Sequence, residues 1–148
     1  MDINGDFYLF RSSLRKIVEA AECRSPVFDE DADVSCSLKE VHWIVSVAKM
    51  KTHHIAGATL SMKNLFGVMP GIYYGWPKNV LHHAGIENSI LDINATLKPH
   101  FAIVDGIVGM QGDGPIMGDP KQAGVLVMGR NLAAVDATCC RIMGIVPL

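Results

Sequence analysis

Lys49, Lys51, His53, His54, Lys63 and Asn64 crowd into the stretch Ala48–Gly71, AKMKTHHIAGATLSMKNLFGVMPG, directly behind an apolar run, Trp43–Ala48. Gly57, Gly67 and Pro70-Gly71 punctuate it. Cations, imidazoles and an amide set so close to a buried strand suit one wall of a ligand pocket. Lys49 and Lys51 are two apart, so in extended backbone they face the same way and repel unless an anion or a carboxylate lies between them. Lys63 and Asn64 would add a further cation and an amide, and the group suits a carboxylate or a phosphate. The plain alternative is a set of exposed lysines with a helix-capping asparagine.

The histidines fall in two adjacent pairs, His53-His54 and His82-His83. Neighbouring imidazoles reach a common point from a loop and diverge on a helix. HxH and HExxH spacings are absent, so no metal is expected; His53, His82 and His83 are the candidates if one binds. A hydrogen-bonded or acid–base role fits these histidines better. Asp105 ends a second apolar run and reads as a general base, a cation ligand or a turn carboxylate holding loop amides. Behind it the segment DGIVGMQGDGPIMGDP could turn backbone N–H groups, at Gly112 and Gly114 above all, toward an anion. It has no GK[ST] and no dinucleotide spacing. Asp136 falls near Leu132 on the apolar face of a last helix, where a carboxylate needs a partner. A lysine of the central stretch is the natural candidate, and the pair is either structural or part of the site.

These residues need elements to hold them. Val41–Ala48 reads as a strand whose unbroken apolar run suits cover on both faces. Phe101–Val104 and Gly124–Met128 are two more strands. Helices are expected at Ser12–Ala21, Gly57–Phe66, Ile86–Leu97 and from Asn131 to Met143, with Gly144 as the stop. Pro26–Phe28 and Asp33–Cys36 read as short extended pieces around an acidic DEDAD turn. Tyr73–Pro77 and the glycine-rich segment read as loops. Helices alternating with apolar strands imply an α/β fold, a mostly parallel sheet flanked by helices, in one domain over 1–148. If the strands are parallel, Lys49, Asp105 and Gly129-Arg130-Asn131 share one sheet edge, where open α/β sheets bind ligands.

Composition narrows the function. At 148 residues, 49% apolar and 19% charged, with a net charge of −2, the chain can bury an ordinary core. No basic stripe with interleaved aromatics points to nucleic acid, and no apolar run is long enough to span a bilayer. The N-terminus lacks the pattern of a signal peptide, so a cytoplasmic location is expected. Cys23, Cys36, Cys139 and Cys140 form no CxxC pair, and reduced, buried thiols are the simplest reading.

Three segments resemble the domain of unknown function family 362, whose members are often called uncharacterised iron–sulfur centre proteins. They are VAKMKTHHIAGATLSMKNLFGVMPG, ILDINATLKPHFAIVDGIVGMQGDGP and GVLVMGRNLAAVDATCCRIMGI. The likeness runs from about residue 7 to 147 and implies the C-terminal part of a longer family domain, incomplete or half-length here. It implies association, as a homodimer or with a missing N-terminal half or redox partner. The ferredoxin-like cysteine clusters of some members have no counterpart here, so no iron–sulfur cluster is expected in this chain. The family carries no established activity. His53, Ala56-Gly57, Lys63, Pro70-Gly71 and His82 or His83 are also similar to the lactate racemase catalytic domain, which holds a nickel-pincer nucleotide. TLSMKN departs from that pattern.

Two functions of different class follow. One is a protein binding a small anion through Lys49, Lys51, Lys63 and Asn64, with His53 and Asp105 as acid–base groups if it is an enzyme. The other is a non-enzymatic module docking an acidic or redox partner. A deep cleft favours the first, and a shallow face with an exposed apolar rim favours the second.

Overall fold

The computed structural model describes residues 41–69, 74 and 79–146. The helix expected from Ser12, the extended pieces before Cys36, the acidic run, Cys23 and Cys36 lie outside the described residues, as does the 73–77 loop apart from Tyr74. The chain divides into two compact units, Trp43–Leu65 with Pro99–Leu148, and Met1–His42 with Phe66–Lys98.

The first unit is built on a four-stranded sheet in the order β2-β1-β3-β4. Its strands are β1 (Val45–His53), β2 (Gly57–Thr59), β3 (Phe101–Gln111) and β4 (Asp119–Gly129). The α/β class follows the sequence expectation, and the sheet is mixed. The central pair, β1 and β3, is parallel, and the outer pairs are antiparallel because their connections are short.

Three expectations change. No helix covers Gly57–Phe66: the chain turns back into β2, then forms α1 (Ser61–Asn64) and a 3₁₀ turn at Leu65–Val68. The reason is a tight hairpin, with His53 paired to Gly57 across residues 54–56 and Gly57 at φ +71°. The segment DGIVGMQGDGPIMGDP is not one long loop, since β3 runs through Gln111 and β4 begins at Asp119. Gly106 and Gly109 sit in strand against Met50: a Cβ on Gly106 would come within 2.9 Å of the Met50 methyl, and one on Gly109 within 2.9 Å of the Met50 carbonyl oxygen. Third, Lys49 and Asp105 lie inside strands, and β4 runs antiparallel, so Asn131 lies beyond the amino end of β3 and does not share a sheet edge with them.

One sheet face is covered. Ser46, Ala48 and Met50 of β1 and Ala102 and Val104 of β3 are buried. With them lie Leu132, Val135 and Cys139 of α4 (Leu132–Ile142) and Leu60, Ser61 and Leu65 around α1. Small residues let the helix come close, and a Cβ on Gly129 would stand 3.1 Å from Val135 Cγ2. Asn131 caps α4 as expected, its side-chain oxygen accepting from the Ala134 amide at 3.0 Å. Among the described residues of this unit no helix covers the other face in this way: alternation along β1 leaves Val45, Val47 and Lys49 exposed, against the expectation of cover on both sides.

In the second unit, α2 (Asn79–His83) is followed by α3 (Ile86–Leu97), the latter with the bounds its periodicity suggests. Ile86 and Ile93 are buried, and Ser89 Oγ donates to the Leu81 carbonyl at 3.1 Å. Lys98 ends α3 in a left-handed conformation, φ +47°.

The β3–β4 turn is seated on the end of β1. A Cβ on Gly114 would fall 2.1 Å from the Thr52 carbonyl oxygen, whereas one on Gly112, at φ +75°, meets nothing. Gly114→Ala should therefore lift the turn off β1 and cost about 3 kcal/mol, and Gly112→Ala only the left-handed backbone penalty of about 1 kcal/mol. Urea unfolding of the two variants measures the difference.

Candidate functional site

The parallel register sets Lys49 opposite Asp105, and the ammonium donates to Asp105 Oδ2 at 2.7 Å. The other oxygen accepts from the Ile107 amide at 2.9 Å. The bond from Lys49, and after it the Ile107 amide, holds the Asp105 carboxyl below its ordinary value. Asp105 is thus ionised at neutral pH and a weak base. Lys51 lies two residues on, with the buried Met50 between the two lysines, and its ammonium meets no hydrogen-bond or ion-pair partner among the described residues.

His53 is buried, and its Nδ1 accepts from the amides of Ile55 at 3.1 Å and Ala56 at 3.2 Å. That nitrogen therefore carries no proton. His54 donates its backbone N–H to the Gly114 carbonyl at 3.1 Å, and its Nδ1 lies 3.2 Å from the same oxygen. The two rings stack, centroids 4.9 Å apart. His53 lies four residues beyond the Lys49–Asp105 rung, so these two acid–base candidates do not form a pair. Gly112 offers its carbonyl to Thr52 Oγ1 at 2.8 Å, so the glycine turn aims carbonyls, not N–H groups, at β1 here.

Asp136 and Asn64 belong to a polar chain that ties three elements together. Leu60 precedes α1 and makes no side-chain cap. Asp136, on α4, does that work from afar: it accepts from the Ser61 amide at 2.8 Å, the Ser61 hydroxyl at 2.5 Å and the Met62 amide at 2.9 Å. A serine and two amides thus meet the carboxylate for which a lysine was the natural candidate. Burial raises its pKa against the pull of these bonds. Ser46 Oγ donates to the Ser61 carbonyl at 2.7 Å, and Asn64 Nδ2 donates to Ser46 Oγ at 3.2 Å and the Val47 carbonyl at 3.1 Å. Sequence reasoning missed Ser46 and Ser61. The signal for the first was a lone hydroxyl inside the apolar run Trp43–Ala48.

Lys63 is half-buried on α1. His82 and His83 end α2 in the other unit, where the His82 ring meets Phe66 edge-on at 5.8 Å. Burial pushes the Cys139 thiol up to about 11 and raises Cys140 as well, so both stay protonated at neutral pH. Among the described residues no group of three or more His, Cys, Asp and Glu converges as a metal site would require. A cavity of about 150 Å³ opens beside Met50, Met110, Lys121 and Met143 and is mostly apolar.

A family model described as Domain of unknown function (DUF362) matches residues 11–141. A thylakoid-associated protein of Synechocystis sp. (strain ATCC 27184 / PCC 6803 / Kazusa) is 28% identical over 109 residues, covering 70% of this chain and 33% of that protein. The chain spans about a third of the length of the curated relative it matches. No solved structure matches. Nothing in these matches carries the lactate racemase similarity. No helix among the described residues is long and apolar enough to cross a membrane.

Removing the remote cap should be costly. Asp136→Ala leaves the Ser61 and Met62 amides without their acceptor, and a loss of about 2–3 kcal/mol is expected in chemical unfolding. The ion pair has its own signature in pH. Asp105 has a lowered pKa, so its contribution is present above the ordinary carboxylate range and lost as pH falls through the lowered value. Lys49→Met should move the Asp105 carboxyl resonance midpoint upward in an NMR titration, and the variant should lose less stability than wild type between about pH 5 and about pH 2.

Proposed function

The chain belongs to the DUF362 family, and on that premise we propose that its sheet unit is a non-enzymatic docking module. Its open sheet face receives an apolar protein surface of balanced charge. One observation carries the reading. Around Val47, Ile103 and Met128 the long strands are apolar on both faces, while the helices that pack on the unit's sheet among the described residues cover one. Val47, Leu126 and Met128 stay 63, 51 and 52% exposed on the other. Uncovered strands usually alternate apolar with polar residues; unbroken apolar runs belong to strands buried on both sides. Large contiguous apolar surface outside the core is a mark of interaction.

Among the described residues, the cavity beside Met50 supports the same choice. About 150 Å³ is below the 300 Å³ or more of an ordinary small-molecule site, and none of Lys49, Lys51, Lys63 and Asn64 lines it. Lys49 is matched by Asp105, so the face offers no surplus positive charge at that rung to select an acidic partner. The reading keeps a cytoplasmic location.

A second reading, binding of a small carboxylate or phosphate with or without catalysis, rests on Lys51. Its ammonium lies two residues from Lys49 with no counter-charge among the described residues. In that reading Lys63 adds a cation, Asn64 stays committed to Ser46 and the Val47 carbonyl, and His53 and Asp105 are separate acid–base groups. Calorimetric titration with phosphate and citrate decides between the readings. Millimolar or tighter binding lost in Lys51→Met supports the anion site, and its absence supports docking.

The docking reading makes a stability prediction. A lysine at a truly open position changes folding free energy by about 0.5 kcal/mol or less, whereas a charge forced into a core costs several kcal/mol. Val47→Lys and Met128→Lys should therefore unfold with near wild-type free energy at protein concentrations low enough to dissociate any partner. A loss of several kcal/mol there would make the face interior to the chain.

A further inference from the structure

We propose that the surface seated on this open face is a second copy of the chain, packed sheet against sheet about a two-fold axis. The inference rests on the docking reading and names its partner.

The strand register lays the face out in rows. Val47, Ile103 and Met128 stand side by side across β1, β3 and β4, and the next row is Lys49, Asp105 and Leu126. Directly opposed residues in a ladder project from the same side of a sheet. The apolar row is therefore followed by one ammonium and one carboxylate, joined at 2.7 Å, with Leu126 beside them. Both charged groups are half-exposed, 48% and 39%, and so within reach of a facing molecule.

This arrangement is complementary to itself. In a two-fold interface each residue meets the residue that meets it in return. With the axis running along the strands between Lys49 and Asp105, each ammonium can face the other copy's carboxylate while Val47 of each copy closes against Ile103 of the other. No charge of this rung is left over. A partner of one dominant sign would instead set a like charge against Lys49 or Asp105, which is unfavourable in a desolvated contact. Face-to-face sheets pack about 10 Å apart, a gap filled by side chains of the size of Val, Ile, Leu and Met.

Sedimentation equilibrium on the full chain tests this, using charge reversal. Wild type should give a two-chain species, about twice 16.1 kDa, at micromolar concentration. Val47→Lys should shift the equilibrium to single chains by at least tenfold. Lys49→Glu leaves two carboxylates at the centre of the face and Asp105→Lys leaves two ammoniums, so each alone should be a single chain. Mixed one to one, they should recover a two-chain species, because each now offers the sign the other lacks.

A wild type that stays a single chain across the concentration range overturns the second copy, whatever the variants do. So does a two-chain species indifferent to Val47→Lys and to both charge reversals. If wild type is single, and Val47→Lys folds with wild-type stability, the docking reading stands with another occupant. Flotation of that single chain with phosphatidylcholine–phosphatidylglycerol vesicles would assign the face to a lipid surface instead. If Val47→Lys unfolds the chain even at high dilution, the docking reading fails with the proposal. Wild-type sedimentation needs no variant to fold, so a single chain there decides against the second copy in every case.

Discussion

The sheet unit depends on one half-buried carboxylate. Asp136 reaches from α4 to cap α1, and through Ser61 and Ser46 the connection continues to β1 and Asn64. Each link satisfies a group that burial would otherwise strand. The α1 amides have no local cap, Ser46 sits at 1% exposure among apolar neighbours, and Asn64 takes the Val47 carbonyl where β2 does not reach. A helix of one turn has almost no stability of its own. Its place on the sheet is therefore set by this polar chain together with the apolar contacts of Leu60 and Leu65, and a partly satisfied network there would be worse than none.

That constraint also separates the two faces of the sheet. Holding α1 and α4 close requires small residues beneath them, and Ser46, Ala48, Ala102 and Gly129 supply the inner face. The bulkier residues of the same strands, Val45, Val47, Ile103, Leu126 and Met128, project to the other side. A single sequence thus builds a close-packed inner layer and a broad apolar outer one, with the Lys49–Asp105 pair set in the outer layer. Most residues that looked like pocket chemistry are occupied in holding this frame: His53 ties its turn, Gly112 and Gly114 hold the β3–β4 turn to β1, and Asn64 and Asp136 are the ends of the polar chain.

Much was legible without coordinates. The α/β class, the bounds of α3, the Asn131 cap and the Gly144 stop all come from local patterning, because caps and helical periodicity are short-range effects. So does the expectation that Asp136 needs a partner, since a carboxylate on an apolar helix face carries that cost wherever it lies. Asp105 reads in sequence as a strand-end base, cation ligand or turn carboxylate, and in the structure it lies within β3, matched to Lys49 and to the Ile107 amide.

Tertiary structure alone decided the rest. Whether Gly106 and Gly109 are strand or loop turns on Met50, a residue of a different strand whose side chain fills the space at Gly106 and whose carbonyl lies against Gly109. The direction of β4 follows from a short turn seated on β1, and it moves Asn131 away from Lys49 and Asp105. The partner of Asp136 is a serine 75 residues away, brought there only when α4 packs over α1. Composition and periodicity determine which residues must be buried and which helices end where. Which buried group meets which, and which apolar face stays open, depends on contacts between distant segments, and no local pattern encodes those.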